Sequence, residues 1–208
     1  MRLRLGMIGG ALVARSARAF TRPALARGIT IKRTDWAMTY GPQGQELIVC
    51  RGTTEDRLAE LGYELPPASA PKGSYAMYSR AGNVLYLAGH IPVRPDGSIS
   101  TGVVGKNLKM AQGSDAAKLC GLALLRTLSD AVGLDNVKHV HKVVAFVACS
   151  DDFENQPGVV NGCSDLLFEV LGDRGRHARS AVGTNALPLG VPVEIEAIVE
   201  VAPGAICK

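Results

Sequence analysis

The chain has 208 residues, 47% of them hydrophobic, which is enough for one domain with an ordinary core plus an extension. Its formal net charge is +4, but residues 1–34 hold eight basic side chains and no acidic one, so residues 35–208 carry a net charge of −4. The acidic balance of this larger part argues against phosphate or nucleic-acid binding, and no apolar run is long enough to predict a membrane span.

The first segment has the composition of a targeting sequence. If residues 11–22 are helical, their arginines gather on one side and their apolar residues on the other. A basic, acid-free amphipathic helix is typical of a mitochondrial presequence, here residues 1–34. The alternatives are a cytoplasmic protein and a reading frame that starts too far upstream, with translation beginning at Met38 or later. Residues 35–52 show no pattern of a packed element and are interpreted as a linker, so we expect residues 1–50 to be dispensable for folding.

The elements of a domain at residues 53–208 follow in a clear order. Thr53 or Thr54 can cap a short helix through Leu61, and Gly62 can end it in the left-handed conformation. After a proline-rich linker, we expect strands at 74–80 and 84–89, a helix that Ser114 opens and that runs to about Val132, a strand at 140–149 and a helix at 157–171.

The last part of the chain, residues 179–201, predicts two strands joined by a turn at Pro188, Gly190 and Pro192. In its second strand the apolar residues alternate with three carboxylates: Glu194, Glu196 and Glu200. A hairpin-like return would bring Arg179 close to one of them. Spacing alone also allows a solvated edge strand with a surface salt bridge.

The order of elements has a consequence for assembly. Two helices cover only one face of a single sheet, yet strands 84–89 and 140–149 carry apolar residues on both faces. Another copy of the chain is the economical cover for the second face, so we expect an oligomer with sites shared between subunits.

The side chains that bind metals are scattered. The five cysteines form no CxxC pair, which indicates a reduced compartment and no structural metal. His139 and His141 have a spacing that can hold a metal, but no acidic or thiol partner lies at a suggestive distance in the sequence. We therefore expect no metal site.

Three segments together resemble a known family: YLAGHIP (86–92), VVNGCSDLLFEVLG (159–172) and ARSAVGTNALPLGVPVEIEAI (178–198). Their order and spacing resemble the reactive intermediate imine deaminases, also called YjgF-like or L-PSP endoribonuclease-like proteins, and especially a subgroup with the signature GRHARSAVG. The resemblance covers residues 54–202. It implies an α+β, chorismate-mutase-like fold with two helices on one face of a single mixed sheet. It further implies a homotrimer with intersubunit clefts, and hydrolysis of enamines or imines such as 2-aminoacrylate and 2-iminobutyrate to 2-keto acids and ammonia without a cofactor.

The resemblance also implies roles for particular residues. Arg179 matches the arginine that holds the substrate carboxylate, and a guanidinium suits this task because it makes two parallel charge-assisted bonds. Glu194 matches the cleft carboxylate that moves protons near the attacking water. Asn161, Tyr75 and Gly89 match residues that line the cleft. The backbone N–H of Ala181 completes the substrate-binding set.

The sequence departs from well-known family members in three places. Ala88-Gly89-His90 stands where they have Ser-Gly-Gln, and Ala181 stands where they have a cysteine, which argues against thiol chemistry. His177 replaces an apolar residue and is either a local pH-sensitive contact or merely exposed. Two alternatives remain open: an endoribonuclease or translation inhibitor, and a non-catalytic small-molecule-binding or holdase module. The acidic charge and the lack of a basic stripe argue against the first.

Overall fold

The structure is a computed structural model that describes residues 52–205 in full and the backbone of two strands before them, β1 (Trp36–Tyr40) and β2 (Glu46–Cys50). These strands pair antiparallel in a two-stranded sheet. The interpretation of residues 35–52 as a linker without elements was therefore wrong. The pattern was present, since two short runs rich in strand-forming residues flank the turn-forming residues Gly41 to Gln45. The predicted presequence, residues 1–34, lies outside the described residues.

Helix α1 (Thr54–Glu60) begins as the sequence predicted. The Thr53 hydroxyl accepts a hydrogen bond from the Asp56 amide at 3.0 Å, and the Asp56 carboxylate accepts one from the Thr53 amide at 3.0 Å. This reciprocal arrangement is a capping box. Gly62 follows with φ of 70°, as expected for the residue that ends a helix. The helix is fixed to the domain because the buried Arg57 donates from Nε to the Glu169 carbonyl at 3.2 Å.

The main sheet has five strands in the order β3-β4-β7-β5-β6. The strands are β3 (Tyr78–Ala81), β4 (Val84–His90), β5 (Val137–Ala148), β6 (Ala178–Thr184) and β7 (Val193–Val201). All pairs are antiparallel except β5 with β6, so the sheet is mixed. The predicted α+β fold is confirmed.

Two boundaries differ from the predictions. Strand β3 starts at Tyr78, not at residue 74. Helix α2 (Met110–Val132) starts four residues before Ser114. The Gln112 side-chain oxygen accepts a hydrogen bond from the amide of the N-cap residue Lys109 at 2.9 Å, which satisfies one of the N–H groups at the start of the helix. The end at Val132 followed by Gly133 agrees with the prediction.

Helices α2 and α3 (Gln156–Leu171) cover one face of the sheet. The residues of the strands that face them are fully buried, for example Leu85, Val143 and Ile195. The helices approach each other closely at Gly162, where a Cβ atom would overlap the Ser114 carbonyl. The core therefore lies between the sheet and this helix pair.

The predicted hairpin between the last two strands was wrong. β5 lies between β6 and β7, parallel to β6 and antiparallel to β7. A parallel pair needs a crossover connection, and α3 provides it between β5 and β6. The alternation in β7 is confirmed, because Ile195, Ala197 and Val199 are buried while Glu196 is exposed.

The other face of the sheet has no cover within the part of the chain that the structure describes. Tyr86 is 48% exposed and Val182 46% exposed, and Val144, Phe146 and Ile198 are half-buried on the same face. These five residues define the open face, and three of them, Tyr86, Val144 and Phe146, belong to strands 84–89 and 140–149, whose second side the sequence predicted to carry apolar residues.

Candidate functional site

Arg179 is held at one end of its side chain by helix α3. Its Nη1 atom donates to Asn161 Oδ1 at 2.9 Å and to Ser164 Oγ at 2.9 Å. Its Nη2 atom donates to the Pro157 carbonyl at 3.3 Å. A guanidinium has five N–H donors. Within the described residues these three bonds leave the Nε–H and one Nη2–H, on adjacent nitrogens, which is the pair that a carboxylate binds with two parallel bonds.

The local fold explains why these residues meet. Asn161 and Ser164 are three residues apart on α3 and therefore lie on the same side of the helix. Arg179 pairs with Val143 across β5 and β6, and Val143 is buried on the face that the helices cover. Paired residues of neighbouring strands share a face, so the arginine points toward α3. Ser164 was not predicted as a site residue, although its spacing from Asn161 carried the signal.

Ala181 presents its backbone to the free edge of the sheet. β6 is the edge strand of the five-stranded sheet and, among the described strands, pairs only with β5. The Thr184 carbonyl accepts a hydrogen bond from the Cys149 amide at 3.2 Å, so Thr184 faces β5. In a strand, the N–H and C=O of one residue point to the same edge, and those of the next residue point to the opposite edge. Ala181 lies three residues before Thr184, so its N–H points away from β5. Arg179, Asn161, Ser164 and Ala181 form the arginine half-site.

Glu194 forms a second group with Gly89. A Cβ atom on Gly89 would overlap Glu194 Oε1 and lie 2.9 Å from its Cδ and 3.1 Å from its Cγ. The carboxylate thus occupies the space that a side chain at residue 89 would fill. A register shift between Leu87 and His90 marks a bulge at this point, where β4 pairs with β7. Glu194 and Gly89 form the glutamate half-site.

The environment of Glu194 favours its protonated form. Burial raises the pKa of the Glu194 carboxyl, and the negative charge of Glu196 raises it further. Desolvation acts in this direction because it disfavours the charged form of an acid. A carboxyl group with a raised pKa holds a proton more readily than an exposed carboxyl group, which suits a group that must both accept and donate one.

The two half-sites lie on opposite faces of the sheet within one chain. Glu194 pairs with Phe146, which belongs to the open face, whereas Arg179 faces the helices. β5 also separates β6 from β7. A single described chain therefore holds both predicted groups without bringing them together.

The remaining predicted residues are placed as follows. Tyr75 precedes β3 and is 52% exposed, so its assignment to the first strand was wrong. Its hydroxyl accepts a hydrogen bond from the Lys72 amide at 3.3 Å, and the described residues show no hydrogen bond from it to either half-site. Its predicted role as a substrate contact stays a prediction.

His90 does not face the glutamate half-site. Its ring is 2% exposed, with Nδ1 2.7 Å from the Ala88 carbonyl and Nε2 2.7 Å from Thr127 Oγ1 on α2. Because a carbonyl only accepts, Nδ1 carries the proton and Nε2 accepts from Thr127. Burial lowers the pKa of His90. The change from glutamine to histidine at this position is thus accommodated in the core.

His139 and His141 are accompanied by a carboxylate that the sequence did not reveal. Their ring centroids are 5.1 Å apart, and His141 Nε2 lies 3.0 Å from Glu200 Oε2. Even so, in the part of the chain that the structure describes, no group of three or more His, Cys, Asp or Glu side chains has a geometry that could hold a metal ion. None of the helices described there is both long and apolar enough to cross a membrane.

The chain is similar to proteins of one known family. A sequence model of the family described as "YjgF/chorismate_mutase-like, putative endoribonuclease" matches residues 55–199. The chain belongs to this family. It is 41% identical over 155 residues to protein TCP17 of Trypanosoma cruzi, covering 74% of this chain and 97% of that protein.

Two further family relatives are informative. The mitochondrial protein mmf1 of Schizosaccharomyces pombe is 34% identical over 139 residues, covering 64% of this chain and 74% of its own. The crystal structure of protein Atu1372 from Agrobacterium tumefaciens, described as of unknown function, is 41% identical and superposes with a TM-score of 0.67. It covers 71% of this chain and 92% of Atu1372. The chorismate-mutase-like fold that the resemblance implied is therefore confirmed.

Proposed function

We propose that this chain hydrolyses reactive enamines and imines of the 2-aminoacrylate and 2-iminobutyrate type to 2-keto acids and ammonia. The sites lie between neighbouring subunits of a homotrimer, and no cofactor takes part. One observation carries the proposal: each chain holds a carboxylate-binding arginine and a proton-transferring glutamate on opposite faces of its sheet. The two serve one substrate only when the glutamate half-site of one subunit meets the arginine half-site of the next.

The open face of the sheet supports the assembly. It carries Tyr86 and Val182 with nearly half of their surface exposed, together with half-buried Val144, Phe146 and Ile198. Exposed apolar side chains on one face of a sheet are typical of subunit interfaces. Glu194 lies on the same face, next to Phe146, so packing between subunits would also bring a neighbouring chain toward the glutamate.

The arginine half-site serves substrate binding in this proposal. The free Nε–H and Nη2–H of Arg179 bind the two carboxylate oxygens of the substrate. The outward N–H of Ala181 donates to the substrate from the free edge of β6, and Asn161 holds the guanidinium. Tyr75 lines the same cleft, the role that the family resemblance implies for it. These contacts fix the C=N carbon relative to the attacking water.

The glutamate half-site serves proton transfer. Glu194 accepts a proton from water as the water oxygen bonds to the imine carbon, and it passes this proton to the imine nitrogen, which gives a neutral tetrahedral carbinolamine. Glu194 then takes the hydroxyl proton of the carbinolamine and passes it to the amino nitrogen. As the C=O bond forms the C–N bond breaks, and the 2-keto acid and ammonia leave. An imine and one water thus become a keto acid and ammonia, with no net proton change. The raised pKa of Glu194 suits both directions of transfer.

A mitochondrial location belongs to the same proposal. The support is the basic, acid-free segment at residues 1–34 and the relative mmf1, which is described as mitochondrial.

The test measures 2-oxobutyrate release by the purified full chain while a threonine dehydratase supplies 2-iminobutyrate. We expect a rate above the spontaneous one. RNA cleavage without imine turnover would instead support the endoribonuclease named in the family description, and neither activity would leave a binding module.

A mixing experiment tests the intersubunit site. Arg179→Ala and Glu194→Gln subunits, each with strongly reduced activity in their own oligomers, are refolded together in equal amounts. In a cyclic oligomer about a quarter of the interfaces join an intact arginine to an intact glutamate, so about a quarter of wild-type activity returns. A site contained in one chain would give no recovery, which would refute the shared site.

A further inference from the structure

A chain of hydrogen bonds continues from Arg179 through Ser164 to His177. Arg179 Nη1 donates to Ser164 Oγ at 2.9 Å, and Ser164 Oγ lies 3.0 Å from His177 Nε2. His177 Nδ1 lies 2.7 Å from the Gly175 carbonyl. The proposed function uses Arg179 but does not use the two residues behind it.

The direction of each bond follows from the groups at the ends. The Gly175 carbonyl only accepts, so Nδ1 of His177 carries the proton and donates it. In the neutral ring Nε2 is then an acceptor, and the Ser164 hydroxyl donates to it. This leaves the lone pairs of Ser164 Oγ for the guanidinium. Burial lowers the pKa of His177, and the nearby positive charge of Arg179 acts in the same direction, so the neutral ring prevails at neutral pH.

The far end of the chain is held by close backbone packing. A Cβ atom on Gly175 would overlap the Leu167 carbonyl of α3, so only glycine fits at this position. The Gly175 carbonyl is therefore fixed relative to the helix that also carries Ser164. His177 and Arg179 are two residues apart in extended backbone and point to the same side, toward α3. The Gly175 carbonyl, His177, Ser164 and Arg179 are thus linked in series by hydrogen bonds.

We infer that Ser164 and His177 are positioning residues that orient the Arg179 guanidinium, with its Nε and Nη2 edge toward the substrate carboxylate. This inference rests on the proposed function, because it assigns them a role through the arginine that binds the substrate. Without the serine oxygen, Nη1 keeps only Asn161, which is exposed, and the guanidinium rotates more freely. Substrate affinity then decreases, since the guanidinium spends less time in the orientation that binds the carboxylate.

The test is a double-mutant cycle with 2-oxobutyrate, the keto-acid product, as the probe. In the full-length oligomer Ser164→Ala raises the Kd for 2-oxobutyrate about fivefold, the typical effect of one lost hydrogen bond. His177→Ala gives a similar rise in the Kd. The Kd of the double variant exceeds that of Ser164→Ala by no more than about twofold, because both residues act through the same hydrogen-bond chain. In steady-state turnover of 2-iminobutyrate the rise is in KM, with kcat changed by less than about threefold.

The decisive comparison is the Arg179→Ala background. If Ser164 acts through the arginine, adding Ser164→Ala to Arg179→Ala leaves the Kd unchanged within about twofold. A general loss of helix packing would weaken binding in both backgrounds and would overturn the inference. Ser150→Ala is the matched control, because it removes another buried serine oxygen, one without a hydrogen-bond partner in the described residues. It leaves the Kd unchanged.

The two proposals fail in different ways. If Arg179→Ala itself binds 2-oxobutyrate like the wild type, the carboxylate-binding role in the proposed function is wrong. If Arg179→Ala loses binding while Ser164→Ala and His177→Ala both bind normally, only the positioning role is wrong. Thermal denaturation of each variant establishes that it is folded. Should His177→Ala unfold at the assay temperature, Ser164→Ala decides alone, because it removes a single oxygen atom.

Discussion

Substitution of Gly89 by alanine displaces the carboxylate of Glu194, the proposed proton-transfer group, without changing its chemical identity. The new Cβ would lie 2.9 Å from Glu194 Cδ and 3.1 Å from Cγ, whereas ordinary contact begins at 3.4 Å, and it would overlap Oε1. The side chain of Glu194 must therefore move by about 1 Å, which for a catalytic group costs on the order of a hundredfold in rate.

We expect Gly89→Ala to lower kcat for 2-iminobutyrate hydrolysis by about a hundredfold. Its stability should change little, because Gly89 does not have a positive φ and the clash is with a flexible side chain. Glu194→Gln, which removes the proton acceptor, should lower kcat by about 10²–10⁴.

The combination of the two changes provides the control. Gly89→Ala in the Glu194→Gln background should cause little further loss, since both act on the same group. Glu196→Gln tests the neighbouring carboxylate, which is exposed on the same strand, and should spare the chemical step. Wild-type kcat in a folded Gly89→Ala variant would refute the reasoning, and so would loss of turnover in Glu196→Gln but not in Glu194→Gln.

Further expectations concern binding, pH, assembly and targeting. Arg179→Ala should lower kcat/KM about ten- to two-hundredfold, equivalent to roughly 1.5–3 kcal/mol, and Arg179→Lys should not restore it fully, because an ammonium lacks the planar pair of donors. Burial lowers the pKa of His90 in the folded chain. As pH drops below about 6.5, the unfolded chain therefore binds a proton at this residue more readily than the folded chain does, and the free energy of unfolding decreases. His90→Gln should remove up to about 1.4 kcal/mol per pH unit of that slope in urea denaturation, and an unchanged slope would contradict the assignment. Sedimentation equilibrium should show a trimer at micromolar concentration, and a stable folded monomer would exclude it. A reporter fused to residues 1–34 should reach mitochondria, and a cytosolic reporter would overturn the targeting prediction.

Most of the individual helices and strands of the domain could be predicted from the sequence. The capped helix at Thr53, the end of α2 at Gly133, the helix at 157–171 and the alternation of β7 each depend on neighbours within a few residues. Such short-range signals survive in a linear pattern because caps, turns and amphipathic faces need no distant partner. The predicted start of α2 at Ser114 was wrong, because the helix begins at Met110 after the N-cap residue Lys109, a residue type that gives no capping signal.

Strand order was decided only by tertiary structure. The sequence of residues 179–201 predicts two strands and a turn. This pattern fits a hairpin of paired strands, and it fits equally well two strands that lie on either side of β5, as the structure shows. The choice depends on how α3 returns the chain parallel to β5, a contact between residues far apart in sequence. That order is what separates Arg179 from Glu194 within one chain.

The sequence by itself determined which residue types could bind a carboxylate and move a proton, because Arg179, Asn161 and Glu194 stand in recognisable segments. It did not determine which of their neighbours touch them. Ser164 meets Arg179, and Glu194 fills the space over Gly89, only once helix and sheet have packed. His90 shows the same limit, since its identity suggested a titratable site residue and the packing of β4 against α2 buried it against Thr127. Side-chain direction depends on the face of the sheet and on the bulge in β4, and both are set by pairing with β7.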